Sequence, residues 1–327
     1  MAAEFPIARP RRLRRTAALR RLVAQTSLRP QDLVQPLFVK EGIGEPQPVG
    51  SMPGVVQHTR ESLRKAAEEA VRAGVGGLIL FGVPAGKDAT GSGADDPDGI
   101  VQRALADLAA DLGDDTVLMA DLCLDEYTDH GHCGILTGAG EVDNDATLER
   151  YAAVALAQAR AGVHVVAPSG MMDGQVAAIR DALDGDGFTD VAICAYSAKY
   201  ASAFYGPFRD AAECAPSFGD RSTYQQDYAS GPEALREVQL DIDEGADIVM
   251  VKPALPYLDI IAEVAASVRV PVAAYQVSGE YAMVEAAAAN GWIDRDRVIT
   301  ETLTAIKRAG AGIILTYWAT EVAGRLG

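Results

Sequence analysis

Eight short apolar runs alternate with eight helix-patterned stretches along this chain, and that rhythm restricts the fold more than any other feature. The runs fall at residues 33–39, 77–82, 117–124, 164–168, 191–197, 247–252, 271–277 and 312–318. They are rich in Val, Ile, Leu and Ala and apolar almost without interruption. Strands buried on both faces of a parallel sheet read this way, whereas half-exposed strands alternate. The helical patterns fall at 61–73, 100–112, 146–161, 174–183, 232–244, 257–268, 280–290 and 297–309. Gly74, Gly162, Gly245 and Gly310 follow four of them, as helix C-terminal caps do. Eight alternations predict a closed (β/α)₈ TIM barrel. The rival, a doubly wound open sheet, would show a glycine-rich phosphate turn after its first strand, and none is present. Gly91-Ser92-Gly93 lies in a loop rich in Asp and Gly and reads as a flexible linker.

A chain of 327 residues with 49% apolar content can bury one large barrel core. The net charge of −17 argues against nucleic acid as a partner. That charge is uneven. Seven arginines and a single acid, Glu4, fall within residues 1–21, so the remainder is more acidic than the whole. A basic arm at 1–30 laid across an acidic neighbouring subunit accounts for this, with the barrel domain at 31–327. No apolar run is long enough to span a membrane, and the start is Arg-rich rather than the apolar start of a secretory signal. Four cysteines in this length do not make a disulfide framework, so a cytoplasmic protein is expected.

Only six lysines accompany 23 arginines. Two of them, Lys199 and Lys252, stand at the C-terminal ends of the fifth and sixth runs. Catalytic groups of a barrel come from those ends, and adjacent strands place them about 5 Å apart. An apolar setting and a second cation each lower an ammonium pKa, so at least one of the pair should be neutral near pH 7. A neutral amine can form a Schiff base with a ketone or aldehyde. A Schiff-base aldolase would need one such lysine and a phosphate site late in the barrel. The acids Glu280 and Glu321 after the last two strands argue against phosphate there.

After the third run comes Asp121-Leu122-Cys123-Leu124-Asp125-Glu126-Tyr127-Thr128-Asp129-His130-Gly131-His132-Cys133-Gly134. Two thiolates and a carboxylate, Cys123, Asp125 and Cys133, suit zinc with an open fourth position, and Cys123 and Asp125 are expected on one strand face. His130 or His132 could replace a ligand or support one. Cys194 and Cys214 read as structural.

Beyond these sites the chain carries Met250-Val251-Lys252-Pro253, Ser202-Ala203-Phe204-Tyr205-Gly206-Pro207-Phe208-Arg209, Gly219-Asp220-Arg221, and Ala167-Pro168-Ser169 with Met171-Met172-Asp173-Gly174. With His130-Gly131-His132-Cys133-Gly134 they resemble the porphobilinogen synthase (5-aminolevulinic acid dehydratase) family over nearly the whole chain. The resemblance implies a barrel with an arm that wraps a neighbour, commonly in a homo-octamer. It implies condensation of two 5-aminolevulinate molecules to porphobilinogen with loss of two waters, in tetrapyrrole (heme) biosynthesis. Carried over residue by residue, Lys252 matches the lysine for the P-side substrate and Lys199 that for the A-side substrate. Arg209, Arg221 and Gln225 match the A-side carboxylate binders, and Ser278 and Tyr317 the P-side ones. Asp121 and Ser169 match polar residues near the substrate amino groups. Residues 200–226 match an active-site lid, with Phe204, Tyr205 and Phe208 to exclude water. Glu237 matches a glutamate that holds an allosteric magnesium in some relatives. Two departures stand out. The metal-like cluster mixes Cys with Asp, where zinc-dependent relatives have three cysteines. Gly170 and Gln175 replace the aspartate and arginine of the usual Pro-Ser-Asp-Met-Met-Asp-Gly-Arg, so a supporting pair is expected to be missing.

Overall fold

In a computed structural model, residues 4–326 are described; the first three residues of the expected arm and the last of the barrel domain lie outside them. Eight strands form the barrel: β1 Leu33–Lys40, β2 Gly77–Val83, β3 Val117–Leu122, β4 Val165–Pro168, β5 Ala192–Lys199, β6 Ile248–Lys252, β7 Val272–Tyr275 and β8 Ile313–Leu315. Each pairs in parallel with the next, and β8 closes on β1 through Leu33 with Ile314 and Val34 with Leu315. The (β/α)₈ TIM barrel read from the alternation is the observed fold. Its strands are buried on both faces, which is why their sequences are apolar without alternation.

The helices wrap the barrel by their apolar stripes. Arg60–Ala73 shows how the sequence specifies one. Thr59 accepts a hydrogen bond from the Ser62 amide at its start, Leu63, Ala67 and Ala70 face inward, and Gly74 ends it in the left-handed region at φ 89°. A short hairpin, Gln47–Pro48 with Val56–His58, extends the sheet beside the end of β1.

Strand ends differ from the sequence reading in ways that matter for the site. β3 stops at Leu122, so Cys123 and Asp125 sit in the following loop and not on a strand face. There the chain turns at once, with the Tyr127 and Thr128 amides both donating to the Leu124 carbonyl. β5 runs two residues further than the apolar pattern, to Lys199. A register shift between Ala195 and Ala198 brings Lys199 level with Lys252. Gly91-Ser92-Gly93 is a fixed turn and not a flexible linker. The Asp88 carboxylate accepts from the Thr90 and Ser92 amides, and Gly91, at φ 62°, lies against Leu124 and Thr128. A last helix, Ala319–Leu326, follows β8 with no loop signal in the sequence to announce it.

The arm carries a 3₁₀ turn, Pro10–Arg14, and a helix, Ala17–Leu22, neither with a buried residue. Phe5, Ile7 and Leu22 are 76%, 73% and 80% exposed. The stretch after β5 holds a 3₁₀ turn, Ala203–Tyr205, and a short helix, Gly206–Ala211, which cross the barrel mouth.

Candidate active site

Lys199 and Lys252 are paired across β5 and β6 and point into a narrow cavity at the C-terminal mouth of the barrel. Both are buried. Their surroundings differ. The Lys252 ammonium lies 4.4 Å from the Tyr275 ring centre, 4.9 Å from Tyr196, 5.2 Å from Phe208 and 5.4 Å from Tyr205. Burial, and then the charge of Lys199, pull its pKa down to about 7 although the rings attract a cation. Lys199 donates to the Ser169 carbonyl at 2.5 Å. Burial opposes its charge too, but Cys133, Cys123, Asp125 and Asp121 outweigh it and raise its pKa. The mutual depression expected from the sequence therefore holds for Lys252 and fails for Lys199, because the thiols and acids outweigh burial at Lys199, whereas Asp121, Asp125 and Glu126 do not outweigh it at Lys252.

That acidic side begins at Asp121, whose Oδ2 accepts from the Ser169 hydroxyl at 3.0 Å. Burial is the main cause that lifts its pKa to about 6. Beyond it, the donor atoms of Cys123, Asp125 and Cys133 lie within 4.8 Å of one another and are buried. The donor set fits a metal ion. Burial resists ionisation of Cys133, but its contact with Cys123 and the charge of Arg221 carry its pKa below the ordinary thiol value. Cys123 moves the other way, raised by burial and by Cys133. Arg221 also pairs with Asp125 at 2.9 Å. The carboxylate stays well below its usual range because Arg221 and Lys199 overcome the effect of burial.

Three buried donors have no partner here: Nε of Arg209, Nε of Arg221 and Nε2 of Gln225. Buried donors are seldom left unpaired, and an incoming carboxylate would satisfy them. Arg209 and Arg221 line the lysine cavity, while Gln225 lines a second cleft beside Tyr224. Ser278 and Tyr317 stand outside that cavity. The Ser278 hydroxyl accepts from the Phe208 amide at 2.9 Å and donates to the Phe204 carbonyl at 3.3 Å. The Tyr317 hydroxyl accepts from Tyr275 at 3.1 Å. Phe208 reaches down into the barrel, 5.1 Å from Phe81 and 5.8 Å from Phe38, and Phe38 stacks on Tyr317 at 6.2 Å. Tyr205 donates to the Tyr200 carbonyl, and Phe204 packs at the edge of the core.

The histidines are struts. His132 contacts the Tyr224 hydroxyl at 3.0 Å and the Phe218 carbonyl at 3.1 Å, and His130 contacts the Ala89 carbonyl at 3.3 Å. Their ring nitrogens are thereby used away from the metal-like cluster. Glu237 is half-buried on the helix Pro232–Asp243, in the cleft that also holds Asp173 and Glu233, away from the lysines. Cys194 is buried on β5 with its thiol pushed up to about 12, and the Cys214 carbonyl accepts from Arg221.

Gly170 has a structural explanation. A side-chain carbon there would lie 1.6 Å from the Tyr151 hydroxyl. Tyr151 is fully buried, donates to the Cys133 carbonyl at 2.6 Å and lies 3.8 Å from the Cys123 sulfur. Gln175 accepts from the Met172 amide at 3.1 Å and so holds the turn after Ser169. Tyr151 thus fills the space that a side chain at residue 170 would need. The sequence reading passed over Tyr151, Tyr196, Phe81 and Glu126. The last two line the cavity, and Glu126 is buried with one oxygen unpartnered. Its position beside Asp125 was the available signal. Tyr151 gave none, because a tyrosine in an Ala-rich helix looks like core.

The family model described as "Delta-aminolevulinic acid dehydratase" matches residues 7–325. The chain is 66% identical over 324 residues to the delta-aminolevulinic acid dehydratase of Streptomyces coelicolor, covering 98% of each. It is 66% identical over 326 residues to the protein of that name from Mycobacterium tuberculosis, covering 99% of each. A crystal structure of delta-aminolevulinic acid dehydratase (porphobilinogen synthase) from Toxoplasma gondii, in complex with the reaction product porphobilinogen, superposes with a TM-score of 0.95. That protein is 43% identical, over 98% of this chain and 92% of the other.

Proposed function

The chain belongs to the delta-aminolevulinic acid dehydratase family, a hydro-lyase that condenses two 5-aminolevulinate molecules to porphobilinogen, and we propose that Lys252 and Lys199 are the two amines that capture the substrates. The observation that carries this reading is the pair itself, in register on neighbouring strands and facing one cavity. In each capture the lysine nitrogen bonds to the ketone carbon. Proton transfers then release the ketone oxygen as water and leave an imine. Lys252 suits the first attack, since its amine is substantially neutral near pH 7.

Arg209, Arg221 and Gln225 supply the unpartnered donors for one carboxylate. Ser278 and Tyr317 serve the other once their hydroxyls exchange their present partners. Asp121 and Ser169 accept from the amino groups. Phe204, Tyr205 and Phe208 keep water from the imines, which water would hydrolyse. Cys123, Asp125 and Cys133 would hold zinc, which supplies Lewis acidity beside the substrate on Lys199.

The uncovered apolar residues of the arm support a homo-oligomer in which arms embrace neighbours, an octamer by resemblance. Magnesium at Glu237 follows the same resemblance, and loss of activation by added magnesium in Glu237→Ala tests it. Among the described residues no helix is long and apolar enough to cross a membrane and all four cysteines are free thiols, which supports a cytoplasmic setting.

The test is incubation with 5-aminolevulinate followed by assay of porphobilinogen with an acidic aldehyde reagent. Borohydride trapping runs in parallel and should leave substrate on both Lys199 and Lys252. No product with or without zinc and magnesium, or adducts on neither lysine, defeats the proposal. Metal content and thiol reactivity before and after chelation test the Cys/Asp cluster independently of turnover.

A further inference from the structure

The tripeptide Ser278-Gly279-Glu280 opens the helix Ser278–Ala289 after β7. Its first residue is the one proposed above to serve a substrate carboxylate. Its third is wholly buried, at 0% exposure, and touches no part of the lysine cavity. The Glu280 carboxylate collects three backbone amides. Val277 donates to it at 2.6 Å, which is a local cap on its own helix. The other two donors, Leu255 at 2.6 Å and Ala254 at 3.4 Å, come from a distant loop. That loop begins where β6 ends, at Lys252.

A helix that needed only a cap would be served by the Val277 contact. The two further amides fix the height of the Lys252 loop against the helix start. The same helix start is the seat of the lid. Ser278 bonds the lid backbone at Phe204 and Phe208. A side-chain carbon at Gly279 would lie 2.5 Å from the Phe204 carbonyl, so only glycine lets the lid backbone pack this closely.

We propose that Glu280 is a positioning residue for Lys252, its carboxylate locking the loop that leaves the lysine to the helix start on which the lid rests. The inference rests on the reading of Lys252 as a Schiff-base lysine. Lys199 is held by other groups: its ammonium donates to the Ser169 carbonyl and its own carbonyl accepts from the Gln226 amide.

The isosteric change Glu280→Gln keeps the volume but turns an NH₂ toward an amide donor, so one of the two loops loses its acceptor. With substrate and borohydride, the rate of adduct formation on each lysine is followed by peptide mapping. In the unaltered enzyme both lysines should be trapped. In E280Q trapping on Lys252 should slow at least ~10-fold while Lys199 stays within about two-fold, an asymmetry that general destabilisation would not produce. Glu280→Asp, which keeps the charge with a shorter reach, should recover part of the Lys252 rate. Equal slowing of both lysines, or none, overturns the inference. Absence of a Lys252 adduct in the unaltered enzyme instead overturns the Schiff-base reading on which it stands. Should E280Q fail to fold, amide exchange in the unaltered enzyme decides. Leu255 and Val277 must gain protection together with residues 204–208 when porphobilinogen binds, and independent protection overturns the inference.

Discussion

Lys199 and Lys252 are register partners on adjacent strands, equally buried and a few ångströms apart, yet one lies among carboxylates and thiols and the other among aromatic rings. The rings carry no charge to answer that of Lys252, and Asp121, Asp125 and Glu126 raise its pKa too little to offset burial and its neighbour, so it titrates at about 7. The acids and thiols hold Lys199 charged. Two identical side chains are thereby set to different protonation states, which suits the two separate captures proposed for them.

The hardest test of this division is to remove each amine. Lys252→Ala and Lys199→Ala should each cost more than ~10³-fold in turnover, because each carries a covalent step. Single-turnover trapping should then separate them. The Lys199→Ala enzyme should still form an adduct on Lys252, but more slowly than the unaltered enzyme near pH 6, since the like charge that depresses the Lys252 pKa has gone. A faster or unchanged Lys252 rate there would break the comparison.

The arginines sharpen it next. Arg221 is locked to the buried Asp125 on the Lys199 side, whereas half-buried Arg209 has no ion-pair partner among the described residues. Arg221→Ala strands a buried carboxylate and should lower unfolding stability by about 3–5 kcal/mol. Arg209→Ala should leave stability within about 0.5 kcal/mol and raise KM. Denaturant titration and steady-state kinetics read the two effects, and equal losses of stability would mean that the two sides are built alike.

A smaller effect follows from pH. In the proposed role Lys252 would react as the free amine, and its pKa of about 7 lies below the ordinary 10.5. Its neutral fraction therefore falls as pH drops through 7, approaching ten-fold for each further unit, and kcat/KM should fall roughly 50-fold from pH 7 to pH 5. Above pH 8 the Lys252 trapping rate should level off. The Lys199 rate should keep rising, because its pKa is raised and not lowered. Coincident profiles would remove the distinction between the two amines.

How much of this was legible beforehand depends on what each residue answers to. The barrel was readable because two-sided burial leaves its mark on every strand, and Lys199 and Lys252 were conspicuous as amines at the ends of such strands. The asymmetry between them was not readable. It depends on where the loop after β3 turns back, and β3 ends at Leu122 where the apolar pattern continues to Leu124. Arg221 looked like a substrate binder alone, since its pairing with Asp125 joins residues 96 positions apart. Glu280 looked only like an acid that would repel phosphate. It is buried because three amides from two loops solvate it in place of water.

Tyr151 and Gly170 support the least visible difference, on the Lys199 side only. The Tyr151 hydroxyl anchors the Cys133 carbonyl and occupies the space above Gly170. Tyr151→Phe leaves that carbonyl without its donor and should cost about 1–2 kcal/mol. Gly170→Ala forces the ring aside and should cost about 1–3 kcal/mol by overpacking. Because both act on one contact, the double variant should lose less than the sum of the two, since a ring already displaced no longer holds the hydroxyl that Phe removes. A denaturant double-mutant cycle measures the coupling. Thiol reactivity at Cys133 should rise in either single variant, and the trapping rate on Lys252 should stay within about two-fold. Strict additivity would show that Tyr151 and Gly170 act apart, and a fall at Lys252 equal to that at Lys199 would show that the wall of thiols and acids is not confined to one lysine.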